Sequence, residues 1–153
     1  MRTFILPFLC AAASLAAATH ALAQSTIYFP LDLNPGVKGP PLSAAVQVGD
    51  ILYLSGQVGI LPGQMKLVPG GFKAEARQAM ENIGAILAAR HLSYDDIFKC
   101  TVFLSDIANW PAFNEIYAGY FKRERLPARS AFAVKALAID ASVEVECMAN
   151  TKH

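Results

Sequence analysis

Residues 142–149, "SVEVECMA", alternate without a break: Val143, Val145 and Cys147 fall on one side, Glu144 and Glu146 on the other. A β-strand turns successive side chains to opposite faces, so this segment demands a sheet with one apolar face and one polar face. The same period recurs in "KCTVFLS", where Cys100, Val102 and Leu104 keep step. "AAVQVGDILYLSGQVGI", residues 44–60, reads as two strands joined by a two-residue turn at Gly49-Asp50. "SAFAVKAL" and "SVEVECMA" close the chain as two further strands. A sheet of this kind needs something to cover its apolar side.

Two segments change to the helical period. In "GFKAEARQAMENIGAILAARHL" the residues Ala76, Met80, Ile83 and Leu87 form one stripe. In "NWPAFNEIYAGYFKRE" Phe113, Ile116, Tyr117 and Tyr120 share a side, with Asn109 as N-cap and Pro111 in the first turn. The order ββ-α-β-α-ββ predicts an α+β domain, a sheet with both helices on one face. The opposite face must then meet water or another subunit. With 54% hydrophobic and only 16% charged residues, the chain has little polar surface for the first solution. An oligomer is expected.

The first 23 residues read differently. "MRTFILPFLCAAASLAAATHALAQ" has a basic start at Arg2, an apolar run and an A-x-A site at Ala21-Leu22-Ala23. These are the parts of a secretory signal cleaved before Gln24, rather than a membrane anchor, for which the run is short. Residues 24–153 are then the domain, and the protein is expected to be secreted or periplasmic. Export permits disulfides. Cys10 leaves with the signal, while Cys100 and Cys147 point to the apolar sides of their strands. They read as two buried free thiols, with a bridge between them as the alternative.

Charge and motifs exclude several chemistries. There are 13 Lys and Arg against 12 Asp and Glu, with no basic patch for a phosphate backbone beyond "KRER" at residues 122–125. That run reads as a solvated turn at a helix end, so no nucleic-acid partner is expected. His91 and His153 lack ligand-spaced partners, and no metal is expected. No G-x-S-x-G or paired Cys and His marks a nucleophile. The feature that stands out is "LPARSAFAV", with Arg129 between a proline and an apolar strand. Its rigid fork of donors suits a carboxylate, which either belongs to a nearby acid of the chain or to a ligand.

"SGQ" at residues 55–57, "ARQAMENIGAIL", "FNEIYAGYF", "PARSAFAV" and "VEVECMA" follow one another in the order and spacing of the RidA/YjgF (Rid) family, which the chain resembles from about Pro40 to Ala149. The resemblance implies a chorismate-mutase-like α+β fold and a homotrimer whose sheets line a central barrel, with ligand clefts between subunits. It implies hydrolysis of reactive enamines and imines, such as 2-aminoacrylate, to 2-keto acids and ammonia, without a cofactor.

The resemblance also assigns roles. Arg129 falls on the arginine that grips the substrate carboxylate, and Glu144 on the glutamate that positions or activates water. Ser55, Gly56 and Asn114 fall on cleft residues. Leu42, in "PPL", stands where a cleft tyrosine is common and lacks its hydroxyl. Glu146 shares the face of Glu144 but receives no role. The expected function is an exported imine deaminase for a small 2-imino acid. The alternative is a carboxylate-binding or chaperone-like relative without turnover.

Overall fold

The computed structural model describes residues 24–152, so the segment read as a secretory signal lies outside the described residues. Seven strands are present: β1 (Thr26–Pro30), β2 (Ser43–Val48), β3 (Ile51–Leu54), β4 (Gln57–Val58), β5 (Ile97–Leu104), β6 (Ala128–Ala133) and β7 (Val143–Asn150). Two helices accompany them, α1 (Phe72–Ala88) and α2 (Trp110–Ala118). The strands form one mixed sheet in the order β1-β2-β3-β7-β5-β6, with β4 also paired to β7. Among these seven strands of the described residues, only β5 and β6 pair in parallel, as strands linked through a helix can.

The helices cover one face. The α1 stripe of Ala76, Met80, Ile83 and Leu87 is fully buried, and it meets Leu52, Val102, Leu104, Val143 and Val145 in a single core. Each large side chain buried there contributes roughly 1.5–3 kcal/mol of transfer free energy. The α1 helix sits close because Gly59 has no side chain: a Cβ there would lie 2.5 Å from the Glu75 Cα. Glu75 is buried and accepts from the Ser142 N–H and hydroxyl, both at 2.8 Å, which ties the start of β7 to α1. The α+β class with both helices on one face is therefore as the two periods require.

Three local readings change. Arg129 lies inside β6 rather than ahead of it, because Lys99 pairs with Ala128 and Cys100 with Arg129. Asn109 makes no side-chain cap; Asp106 instead accepts from the Ala108 N–H at 2.9 Å and starts a short turn that runs into α2. Helix α2 ends at Ala118, so "KRER" is separate from it: Arg123–Arg125 form their own exposed turn, and Lys122 pairs with Asp95. Strand β1 is an addition. It carries Ile27 and Tyr28 exposed and Phe29 half-buried, a weak alternation that its sequence does not announce.

The free thiols are also corrected. Cys100 and Cys147 are directly opposed on the antiparallel pair β5 and β7, with Cα atoms 4.1 Å apart, and form a disulfide. Alternation placed both on the covered face. Their pairing depends on the register between strands, which alternation does not contain.

The uncovered face carries Tyr53 from β3, Thr101 and Phe103 from β5, Phe132 from β6, and Glu144 and Glu146 from β7. Tyr53 is 41% and Phe132 54% exposed, and Phe132 stacks on Phe103 with ring centres 6.4 Å apart. Exposed rings set among acids are the mark of a face that meets something other than water alone.

Candidate functional site

The residues singled out by the sequence fall into two groups. The first centres on Arg129. It stands on β6, the edge strand, opposite the buried Cys100, so its side chain emerges on the helix-covered side. There it runs under α2. Its Nη2 donates to the Asn114 Oδ1. The guanidinium carbon lies 4.6 Å from the ring centre of Tyr117, 5.3 Å from Trp110 and 5.7 Å from Phe113. Residues 110, 113, 114 and 117 share one face of a helix, so about two turns of α2 hold the cation by three rings and an amide.

No acid takes part. Of the two ion pairs among the described residues, neither involves Arg129. A salt bridge inside the chain, the alternative for this arginine, is not what the fold makes. Asn114 is neutral, so it fixes the fork without cancelling its charge. Tyr117 is buried, and burial pushes its phenol up to about 12, against a smaller opposing pull from Arg129. It remains neutral across the physiological range.

The second group centres on Glu144. Its partner across the ladder is Phe103, and it stands on the uncovered face beside the loop between β3 and β4. That loop is Ser55-Gly56. The Ser55 N–H donates to the Ala44 carbonyl at 3.0 Å and its hydroxyl to the Ser43 carbonyl at 2.7 Å. Gly56 makes room for the carboxylate: a Cβ there would fall 1.9 Å from the Glu144 Oε1. Leu42 immediately precedes Ser43 in the chain and is 47% exposed. Burial raises the Glu144 carboxyl above its ordinary pKa, and the neighbouring Glu146 raises it further.

The two groups do not meet within one chain. Arg129 is level with Cys100 and Glu144 with Phe103, three residues further along β5, a displacement of about 10 Å. They also emerge from opposite faces of the sheet. What one chain provides is two separate groups, one on each face of the sheet.

Sequence reasoning passed over three contributors. Gln57 is 9% exposed, and its amide donates to the carbonyls of Ser55 at 2.9 Å and Gly56 at 3.3 Å, holding the loop from behind. Its signal was visible: a polar residue at an inward position of a strand. The apolar stripe of α2 signals only core in the sequence, and the fold turns three of its rings toward a guanidinium. Glu146 was given no part, yet its charge acts on Glu144. Among the described residues no three His, Cys, Asp or Glu side chains converge as metal ligands would.

Residues 37–151 match a family model described as Endoribonuclease L-PSP. The chain is 46% identical over 109 residues to a Mus musculus protein named 2-iminobutanoate/2-iminopropanoate deaminase, covering 71% of this chain and 80% of that one. A Homo sapiens protein of the same name is 44% identical over 115 residues, 75% of this chain and 82% of its own. Among solved structures, RidA from the Antarctic bacterium Psychrobacter sp. superposes with a TM-score of 0.72 at 37% identity, over 81% of this chain and 98% of that chain. E. coli TdcF with bound serine gives 0.70 at 32% identity, over 82% and 99%.

Proposed function

Because the chain belongs to the endoribonuclease L-PSP family, which takes in the Rid proteins, we propose that it is an imine deaminase acting on small 2-imino acids, with each active site assembled from two copies of the chain. The observation that carries this reading is the state of Arg129: a guanidinium fixed by Asn114 and three rings, with no acid of its own, keeps its charge for a ligand. A planar carboxylate is the anion its fork fits bidentately.

The chemistry then follows from the two half-sites. Arg129 of one copy holds the carboxylate of the 2-imino acid, and the C=N carbon is presented to Glu144 of a neighbour. The imine enters protonated; ionised Glu144 accepts a proton from the water that adds to that carbon, the C=N electron pair moves to the nitrogen, and a neutral carbinolamine results. Glu144 returns its proton to the nitrogen, and the C–N bond breaks as the hydroxyl becomes the keto oxygen, its proton leaving with the ammonia as ammonium. The products are a 2-keto acid and ammonia, with one water consumed. A raised carboxyl pKa suits a group that must both take and give a proton. Ser55 and Gly56 border the same carboxylate, and Leu42, next to Ser43 in the chain, adds apolar bulk but no hydroxyl.

A second copy is required because the half-sites lie on opposite faces, and the uncovered sheet face with Tyr53 and Phe132 is a surface for it. A closed ring of three, as in the family resemblance, satisfies every copy equally. Secretion is part of the same reading: the Cys100–Cys147 bridge is a pairing that an oxidising compartment permits. Mass spectrometry of the protein from its native host should find an N-terminus at Gln24; intact residues 1–23 would refute export.

The activity is tested by generating 2-imino acids in situ with an amino-acid oxidase and following keto-acid and ammonia release. Acceleration over the buffer rate is expected for small side chains. Binding of the 2-keto acid with no acceleration would leave a carboxylate-binding protein instead.

A further inference from the structure

A cavity of about 290 Å3 opens on the helix-covered side, between the segments that follow β1 and β4 and the C-terminal half of α1. None of Arg129, Asn114, Glu144, Ser55 or Gly56 lines it. Its size is at the small end for ligand pockets, which run from roughly 300 Å3 upward. Leu33, Ile60 and Ile86 supply apolar walls, and Gln57, Asn82 and Arg90 are the polar side chains that matter.

Two of these three are committed elsewhere. The Gln57 amide holds the Ser55 and Gly56 carbonyls. The Asn82 amide donates to the carbonyls of Val58 at 3.1 Å and Ile60 at 3.0 Å, and its oxygen accepts from Gln78 at 2.9 Å. Arg90 is different. Its Nη1 donates to the Ile86 carbonyl at 2.8 Å, and its guanidinium lies 3.8 Å from the ring centre of Phe29. Its Nε is buried with no acceptor among the described residues, and it belongs to neither ion pair.

An arginine remains charged at physiological pH even where burial lowers its pKa, as it does here. The half-buried guanidinium has no counter-ion, and its Nη2 makes no hydrogen bond to the described chain, so an entering anion would gain a charge-assisted hydrogen bond there. Phe29 closes one side of it, and the apolar walls offer room for a short hydrocarbon tail but no partner for a second polar group. Asp32 also borders the cavity but is exposed, where water screens it.

We propose that this cavity is a second ligand site, separate from the Arg129–Glu144 site, and that it binds a small apolar carboxylic acid through Arg90. The acid's carboxylate accepts from the Nη2 end of the guanidinium, and its tail fills the space between Ile60 and Ile86. Gln57 lines the cavity on one side and holds the Ser55-Gly56 loop on the other, so occupancy is felt at that loop.

The probe is 4-methylpentanoate, a branched acid without a 2-oxo group, added to the full chain carrying Arg129→Lys so that the first site is impaired. Calorimetry should show one site per chain, with the largest NMR amide shifts at Gln57 and Ile60. Arg90→Met should weaken binding by roughly 10-fold or more, the scale of hydrogen bonds to a charged group. Ala85→Phe, which fills the cavity and leaves Arg90 in place, should abolish it, and it carries the test if Arg90→Met fails to fold. Absence of binding in the Arg129→Lys protein would overturn the proposal, as would binding that neither variant weakens. Imine hydrolysis is not read in these measurements, so the deaminase reading stands or falls separately.

Discussion

The Arg129 and Glu144 half-sites belong to one sheet and are built on opposite plans. Arg129 is surrounded by its own chain: Asn114, Trp110, Phe113 and Tyr117 from α2 leave the guanidinium little freedom before any ligand arrives. Glu144 is surrounded by absence. Gly56 withholds a side chain, the face is uncovered, and Glu146 adds like charge. The first half is organised to bind a fixed anion, and a rigid cation does that well. The second half is organised to take up a proton more readily than an ordinary carboxylate, which burial and then the repulsion from Glu146 bring about. Binding and proton transfer ask for different environments, and the two faces of a sheet supply them.

The contrast is broken most severely at Arg129. Arg129→Lys keeps the charge and loses the fork, so kcat/KM for imine hydrolysis should fall on the order of 10²–10³-fold, with most of the loss in KM. Secondary structure by circular dichroism should be unchanged. A lysine variant with wild-type kinetics would remove the carboxylate clamp from the mechanism.

Glu144→Gln should lower kcat by about 10²-fold, the usual scale for a positioned acid or base, with little change in keto-acid affinity. It should also stabilise the fold. The carboxyl pKa is raised in the folded state, so ionisation costs stability as pH rises above the ordinary carboxylate range. Thermal unfolding should therefore show a higher Tm for the Gln variant at pH 7, and no difference once both states are protonated in acid. Mixing the Arg129→Lys and Glu144→Gln chains after joint refolding tests the division between copies. In a ring of three, about a quarter of the interfaces would pair an intact Arg129 with an intact Glu144, and activity should return to that level. No recovery would mean that each chain uses both residues itself.

Gly56→Ala places a methyl group on the Glu144 carboxylate, whose end is flexible and can move aside. The fold should survive, and kcat should drop by about 10-fold, since a displacement of about 1 Å in a positioned group can cost up to about 10²-fold. Unchanged turnover would show that Glu144 acts from another position.

The smallest effect is expected at Glu146. Burial is the main cause of the raised Glu144 pKa and Glu146→Gln removes only the added like charge, so the acid limb of the pH–kcat profile should move part of the way to lower pH with little change in the plateau. A limb that stays in place would assign that ionisation to a different group.

By itself the sequence determined the faces. Val143, Val145 and Cys147 alternate with Glu144 and Glu146, and Ala76, Met80, Ile83 and Leu87 recur on one side of a helix; the covered and uncovered sides follow from those two periods. It also displayed Arg129, a lone arginine ahead of an apolar strand, whereas Glu144 read as one of two outward strand acids until the family resemblance gave it a role. Only the tertiary structure decided who faces whom. The Cys100–Cys147 bridge, the separation of Arg129 from Glu144, the ring shelf of α2 beneath a guanidinium and the Arg90 cavity all depend on register and on elements distant in the chain. A periodic pattern is a local property, repeated within one element and blind to its neighbours, whereas a strand's partner and its offset are set by how whole elements pack.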